Sequence, residues 1–149
     1  MEIKLETATT KLLDNLFAIE NQCFDQEAFT KRQISYLLAD YNTLSLVAKT
    51  GNEIAGFIIT QIEIDESTLF GHIITVNVSP RYRRKGIATK MLRQIEEMLK
   101  EKGIFEIHLE VREDNSAAIK LYQKSGYQKT SKLQNYYGNK HGLYLKKTL

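Results

Sequence analysis

The 149-residue chain has a single cysteine, Cys23, which excludes an internal disulfide and any cysteine-based metal cluster. A lone cysteine is usually an inert packing residue, so a cysteine nucleophile is not expected. The chain also lacks an apolar run of membrane-spanning length, and its opening residues, MEIKLETATTKLL, lack the apolar core of a signal peptide. Repeats, low-complexity tracts and Pro/Gly/Ser-rich linkers are missing too. Nothing therefore marks a domain boundary, and one domain over 1–149 is expected. A soluble, cytoplasmic, single-domain protein with no membrane partner is the reading these absences favour.

Acidic residues are missing from the last 35 positions, which instead carry seven lysines. Residues 1–114 hold 14 Lys and Arg against 18 Asp and Glu, so the overall charge of +3 conceals a net −4 followed by a net +7. One basic island interrupts the acidic part: Arg81, Arg83, Arg84 and Lys85. Such asymmetry points to an anionic partner near the island and the C-terminal third. A phosphorylated cofactor, nucleic acid or simple solubility would each satisfy it.

What is present reads as alternating elements. Thr10–Glu20 is amphipathic, with Leu13, Leu16, Phe17 and Glu20 at helical spacing, and a short helix is expected over Lys31–Ala39. Strands are expected over Leu44–Lys49, Ile54–Ile64 and Thr68–Val78, with turns at 50–53 and 65–67. Gly86–Lys102 places Ile87, Met91, Ile95 and Met98 on one helical face. Ile104–Val111 alternates, with Phe105, Ile107, Leu109 and Val111 on one side and Glu106, His108 and Glu110 on the other. Asn115 or Ser116 caps a helix ending near Gly126. Two final strands, Tyr127–Leu133 and Gly142–Lys147, are joined by a loop around 135–141. The order predicts a mixed α/β sheet covered by helices.

The basic island falls where the third long strand turns into the long helix. Free N–H groups and the positive dipole end at a helix N-terminus bind phosphate. Gly86 lets the backbone approach an anion, Ala88 keeps the next turn small, and Arg83, Arg84 and Lys85 add attraction. A solvated basic turn whose glycine merely starts a helix fits the same residues. The pattern G-x-x-x-x-G-K-[ST] is absent, which disfavours an ordinary nucleoside triphosphate site.

Arg83-x-x-Gly86-x-Ala88 resembles the [QR]-x-x-G-x-[GA] motif of the GNAT superfamily of N-acetyltransferases, and it follows a strand end, Val76, Val78, Pro80, Tyr82, of that family's form. The similarity continues through Leu109-Glu110-Val111-Arg112, Asn115-Ser116-Ala117-Ala118-Ile119-Lys120-Leu121-Tyr122 and Gly126-Tyr127. That run resembles the N-terminal acetyltransferases, the bacterial ribosomal-protein-alanine branch in particular, as do Gly71-His72-Ile73 and Asn135-Tyr136-Tyr137. The resemblance covers roughly Gly56 to the C-terminus.

The resemblance implies a GNAT fold: a mostly antiparallel sheet of about six to seven strands with about four helices. It implies acetyl-CoA as co-substrate and no metal. The backbone of Val76, Asn77 and Val78 would hold the pantetheine arm. Arg83, Arg84, Lys85, Gly86, Ile87, Ala88 and Thr89 would surround the pyrophosphate, with Asn115 also touching the cofactor. Glu110 matches the general base and Tyr122 the general acid. The chemistry suits them, because an α-amine is mostly ammonium near neutral pH and must lose a proton before it attacks a thioester. Backbone N–H groups at the strand end could hold the oxyanion. His72 is a structural histidine or a proton-relay group, and Tyr136 and Tyr137 line a peptide slot or pack the hairpin. His108 is expected to be structural, and His141 to lie in a loop.

Two departures concern the acceptor. The loop after the paired tyrosines, 138–142, has no carboxylate, and 24–29 lacks the F-P-W-S pattern of bacterial relatives. The expected partners are protein or peptide N-termini, ribosomal proteins among them, bound by a monomer or weak dimer without direct nucleic-acid binding. Acetylation of lysine or small amines is the alternative, and an RNA- or ribosome-binding module is the reading from a different class.

Overall fold

The computed structural model describes residues 2–149. One seven-stranded sheet runs through it, in the spatial order β1 (Lys4–Thr7), β2 (Thr43–Thr50), β3 (Glu53–Asp65), β4 (Thr68–Val78), β5 (Glu106–Arg112), β7 (Lys140–Thr148), β6 (Gln128–Tyr137). Every neighbouring pair is antiparallel except β4 and β5. That parallel pair is joined by α3 (Ile87–Glu101), the crossover that parallel strands require. The remaining helices are α1 (Leu13–Cys23), entered through a 3-10 turn at Thr10–Leu12, then α2 (Lys31–Ala39) and α4 (Ser116–Lys124). The expected mixed α/β architecture is present, with seven strands and four α-helices.

Two apolar clusters sandwich the sheet. On one side Met91, Leu92, Ile95 and Leu99 of α3 pack on Ile58, Ile73, Ile107 and Leu109. On the other, Leu16 and Ile19 of α1 and Ile34 and Leu37 of α2 pack on Val47, Phe57 and Ile59. Local signals explain the helix ends. Thr30 and Gln33 form a reciprocal capping box at the start of α2. The Asn115 side chain accepts a hydrogen bond from the Ala118 N–H to start α4.

Several expectations need correction. β1 has no counterpart in the sequence reading: its four residues are too few to show a period, and it forms only as the edge partner of β2. The Ile104–Val111 strand begins instead at Glu106, so Phe105 lies before it and is exposed rather than in the core. His108, expected to be structural, is so: it is buried, stacked on Phe70 with ring centroids 4.2 Å apart, and hydrogen-bonded to the Tyr144 hydroxyl at 2.7 Å. The 135–141 loop shrinks to a turn at Gly138 and Asn139, because β6 continues through Tyr137 and β7 starts at Lys140. His141 thus sits in a strand and accepts the Asn135 N–H at 2.9 Å.

Two irregularities shape the site. In the β3–β4 ladder Ile59 pairs with Thr75 but Thr60 pairs with Ile73, leaving Ile74 as an extra residue on β4. Such a bulge bends a strand and re-aims its side chains. Then β4 pairs with β5 only at Gly71–Ile107 and His72–His108. Beyond those residues the strands part, and the edge of β4 from Ile73 to Val78 has no strand partner on the β5 side.

Candidate active site

The parting strands open a cavity of about 190 Å³. One wall is Ile73–Val76 of β4, the other Leu109–Arg112 of β5. Asn115, Ala118 and Tyr122 come from the start and inner face of α4, Phe24, Glu27 and Phe29 from the α1–α2 segment, and Tyr136 and Tyr137 from the end of β6. Glu110 and Tyr122 therefore share one chamber although 12 positions separate them. A second, more open chamber of about 540 Å³ lies against α2, with Phe29, Tyr36, Leu37, Ile74 and Tyr136 around Glu110 and His72.

Glu110 is mostly buried, its side chain 16% exposed, and its carboxylate lies 2.8 Å from His72 Nε2. The other ring nitrogen of His72, Nδ1, lies 2.7 Å from Glu63. Burial works against charge on this imidazole, but the hydrogen bonds and charges of Glu110 and Glu63 outweigh it and push its pKa up to about 9. His72 is thus cationic at neutral pH and is bound to Glu110 rather than being a bystander. The Tyr122 side chain is buried, with its ring against that of Tyr127. Burial pushes its phenol well above the usual tyrosine range, so it keeps its proton across the physiological span. Tyr136 is half exposed and Tyr137 half buried, their rings edge to face at 4.9 Å, and both border the chamber.

The basic turn divides into parts. Arg83 does not extend as a free cation: its Nε donates to the Val78 carbonyl at 3.1 Å, and its guanidinium reaches Cys23 Sγ at 3.4 Å. Arg84 and Lys85 are exposed, and Arg84 is held at φ 62°, unusual for a residue with a Cβ. Gly86 follows at φ 76° and caps α3 without a side-chain partner, so the N–H groups of Ile87, Ala88 and Thr89 lie in the open first turn. Space around Gly86 is empty, with no atom within 4 Å of where a Cβ would sit.

The Asn77 side chain is buried and taken up within the fold, donating to Glu20 at 3.0 Å and to Thr75 at 2.9 Å. Glu20, 1% exposed, also accepts the Thr75 hydroxyl at 2.9 Å and the Phe29 N–H at 3.1 Å. Burial pushes its carboxyl up, against the pull of those three hydrogen bonds. Sequence reasoning placed Glu20 on a helix face but did not find this network, nor Glu63, nor the Arg112–Glu27 pair at 2.9 Å that ties β5 to the α1–α2 segment. The one available signal for Glu63 was the polar alternation Gln61, Glu63, Asp65 at the end of an otherwise apolar strand. Among the described residues no group of three or more His, Cys, Asp or Glu could hold a metal ion.

A strand pair splayed beside an open helix N-terminus suits a long ligand with phosphates at one end and a reacting group at the other. The model of the acetyltransferase (GNAT) family matches residues 11–127. The chain belongs to the GNAT acetyltransferase family. It is accordingly an acetyl-CoA-dependent N-acetyltransferase, and the gap between β4 and β5, the open turn at Gly86–Thr89 and the absence of atoms around Gly86 leave room for that co-substrate. An N-alpha-acetyltransferase of Sulfurisphaera tokodaii is 35% identical over 117 residues, covering 72% of this chain and 70% of the relative. The [ribosomal protein bS18]-alanine N-acetyltransferase of Salmonella typhimurium is 34% identical over 99 residues, 66% of this chain and 64% of its own length. An Arabidopsis thaliana structure in complex with the bisubstrate analogue CoA-Ac-MVNAL superposes with TM-score 0.87 at 25% identity over the whole of both chains. The ribosomal-protein-S18-alanine N-acetyltransferase of Escherichia coli has the same fold, with TM-score 0.87 at 22% identity, covering 99% of this chain and 94% of that one. No helix among the described residues is long and apolar enough to cross a membrane.

Proposed function

We propose that the GNAT site of this chain transfers acetyl from acetyl-CoA to the N-terminal α-amine of a protein or peptide, with Glu110 as base and Tyr122 as acid. The observation that carries this reading is the shared chamber: a carboxylate from β5 and a protonated phenol from α4 face one gap, next to the unpaired edge of β4. The naming of relatives for N-terminal acetylation supports the α-amine as acceptor.

In this reading the backbone of Val76–Val78 binds the pantetheine arm, as an added strand would. The N–H groups at Gly86–Thr89, with Arg84 and Lys85 outside them, receive the pyrophosphate. Asn115 borders the thioester end, and Tyr136 and Tyr137 flank the arriving peptide. Acetyl-CoA supplies an activated acyl group, and the chain's residues manage protons. Glu110, linked to His72, removes a proton from the ammonium, and the freed amine attacks the thioester carbon. The C–S bond breaks as the N–C bond forms, and Tyr122 hydrogen-bonds or protonates the departing sulfur. Over a turnover the ammonium gives up two protons; one ends on the CoA sulfur and one reaches solvent.

Steady-state kinetics of Glu110→Gln and Tyr122→Phe test these roles. Each should lower kcat by roughly 10²–10⁴, the usual contribution of a positioned acid or base, while acetyl-CoA affinity measured by calorimetry stays near wild type. Full turnover in both variants would remove the assignment.

A further inference from the structure

His72 lies between two carboxylates from different strands, and the reaction as drawn uses only one of them. Glu63 of β3 contacts Nδ1 at 2.7 Å and Glu110 of β5 contacts Nε2 at 2.8 Å. A carboxylate can only accept, so both contacts are hydrogen bonds only while both ring nitrogens carry protons. With a proton on each nitrogen, His72 cannot relieve Glu110 of a third. One proton must leave the ring before the set can work.

Which nitrogen then keeps its proton decides what the histidine can do. An arriving ammonium places its charge beside Glu110, but Glu63 pairs with no other cation among the described residues. The remaining N–H therefore stays on Nδ1, facing Glu63. That leaves the Nε2 lone pair aimed at Glu110. We propose that Glu63 is a positioning residue of the transfer site: it fixes His72 in the Nδ1–H form, so that a proton taken from the α-amine by Glu110 passes on to Nε2. The step balances within the cluster: Glu110 gains the amine proton, the imidazole takes it as imidazolium, and solvent removes it between turnovers. The logic is that of a carboxylate orienting a histidine base, and it rests on Glu110 being the base.

Other groups facing His72 do not compete for this role. From β5, His108 is kept neutral by burial and by Lys146, and its Nδ1 is taken by the Tyr144 hydroxyl of β7. From β6 and α2, Tyr136 and Arg32 border the open chamber without a hydrogen bond to the ring. Glu63 is reached through the β3–β4 register, in which Gln61 pairs with His72 and Glu63 with Phe70.

The test is the pH profile of kcat/KM, with the His72 titration read by NMR of histidine-labelled full-length protein, for wild type, Glu63→Gln and Glu63→Asp. In wild type the His72 titration is expected near 9, where its two carboxylate partners push it. Removing one carboxylate disfavours the imidazolium, so in Glu63→Gln the His72 titration and the rising limb of kcat/KM both move to lower pH by about 1. Plateau kcat falls, KM and acetyl-CoA affinity hold, and Glu63→Asp restores much of the wild-type profile. Superimposable profiles with an unmoved His72 titration would overturn the proposal, as would a loss of rate with no change of pH dependence. Measuring Glu110→Gln alongside separates the two failures. An inactive Glu110→Gln with an unaffected Glu63→Gln sinks only the role of Glu63, whereas a fully active Glu110→Gln sinks the base assignment beneath it.

Discussion

The Glu20 carboxylate accepts a hydrogen bond from the Asn77 side chain at 3.0 Å, joining the last turns of α1 to the end of β4 across 57 positions of sequence. The same carboxylate holds Thr75 and the Phe29 N–H, so one buried acid fixes both the strand assigned to acetyl-CoA and the segment assigned to the acceptor.

Glu20→Ala strands those donors in a buried place. It should cost roughly 2–4 kcal/mol, the loss of hydrogen bonds partly offset by removal of a buried charge. Because burial raises the folded-state pKa above the ordinary value of 4.5, the stability that Glu20 contributes is fullest in acid and declines as pH rises through the folded value. Urea denaturation of wild type and variant should therefore differ most at low pH and less toward neutrality.

Gly56 lies where β3 passes β4. A Cβ added there would sit 2.4 Å from the Asn77 carbonyl oxygen, which is backbone and cannot rotate aside. Glu20 and Thr75 hold that stretch from the other side. Gly56→Ala should cost about 1–3 kcal/mol in thermal or urea unfolding, and it should weaken acetyl-CoA binding, because relief requires the Val76–Val78 strand to shift.

Gly86 presents the opposite case. No neighbour would meet its Cβ, but φ of 76° penalises one. Gly86→Ala should cost roughly 1 kcal/mol and raise the acetyl-CoA Kd measured by calorimetry, with the acceptor KM little changed. Loss of acceptor affinity alone would contradict the assignment of this turn to the pyrophosphate.

Arg112 pairs with Glu27 at 2.9 Å and with Asp114 at 2.7 Å. Its pair with Glu27 ties the α1–α2 segment to β5 beside the chamber. Arg112→Ala should raise the acceptor-peptide KM several-fold and leave acetyl-CoA affinity near wild type, as read from steady-state kinetics and calorimetry.

Local order in the sequence marked the strand-to-helix turn at 76–89, while Glu110 and Tyr122 were named through the family resemblance and line one cavity in the fold. α2 and β4 begin and end where their residue patterns indicate. What stayed hidden depends on register. Glu63 approaches His72 only through the bulged β3–β4 ladder, and a one-residue slip would send it to the other face. Glu20 reads as an ordinary polar position at the end of a helical stripe until α1 is laid on Thr75 and Asn77. Arg83 reads as a phosphate-binding cation, yet the fold turns it toward Val78 and Cys23. Tyr136 and Tyr137 look like loop residues, because nothing local reveals that β6 runs on to the hairpin.

The most direct measurement is incubation of the protein with acetyl-CoA and a panel of peptides, each with a free N-terminus and an internal lysine, followed by mass-spectrometric mapping of the product. Acetyl on the α-amine, lost in Glu110→Gln, is the predicted result. Acetyl found only on the lysine side chains, or on no peptide at all, would contradict it.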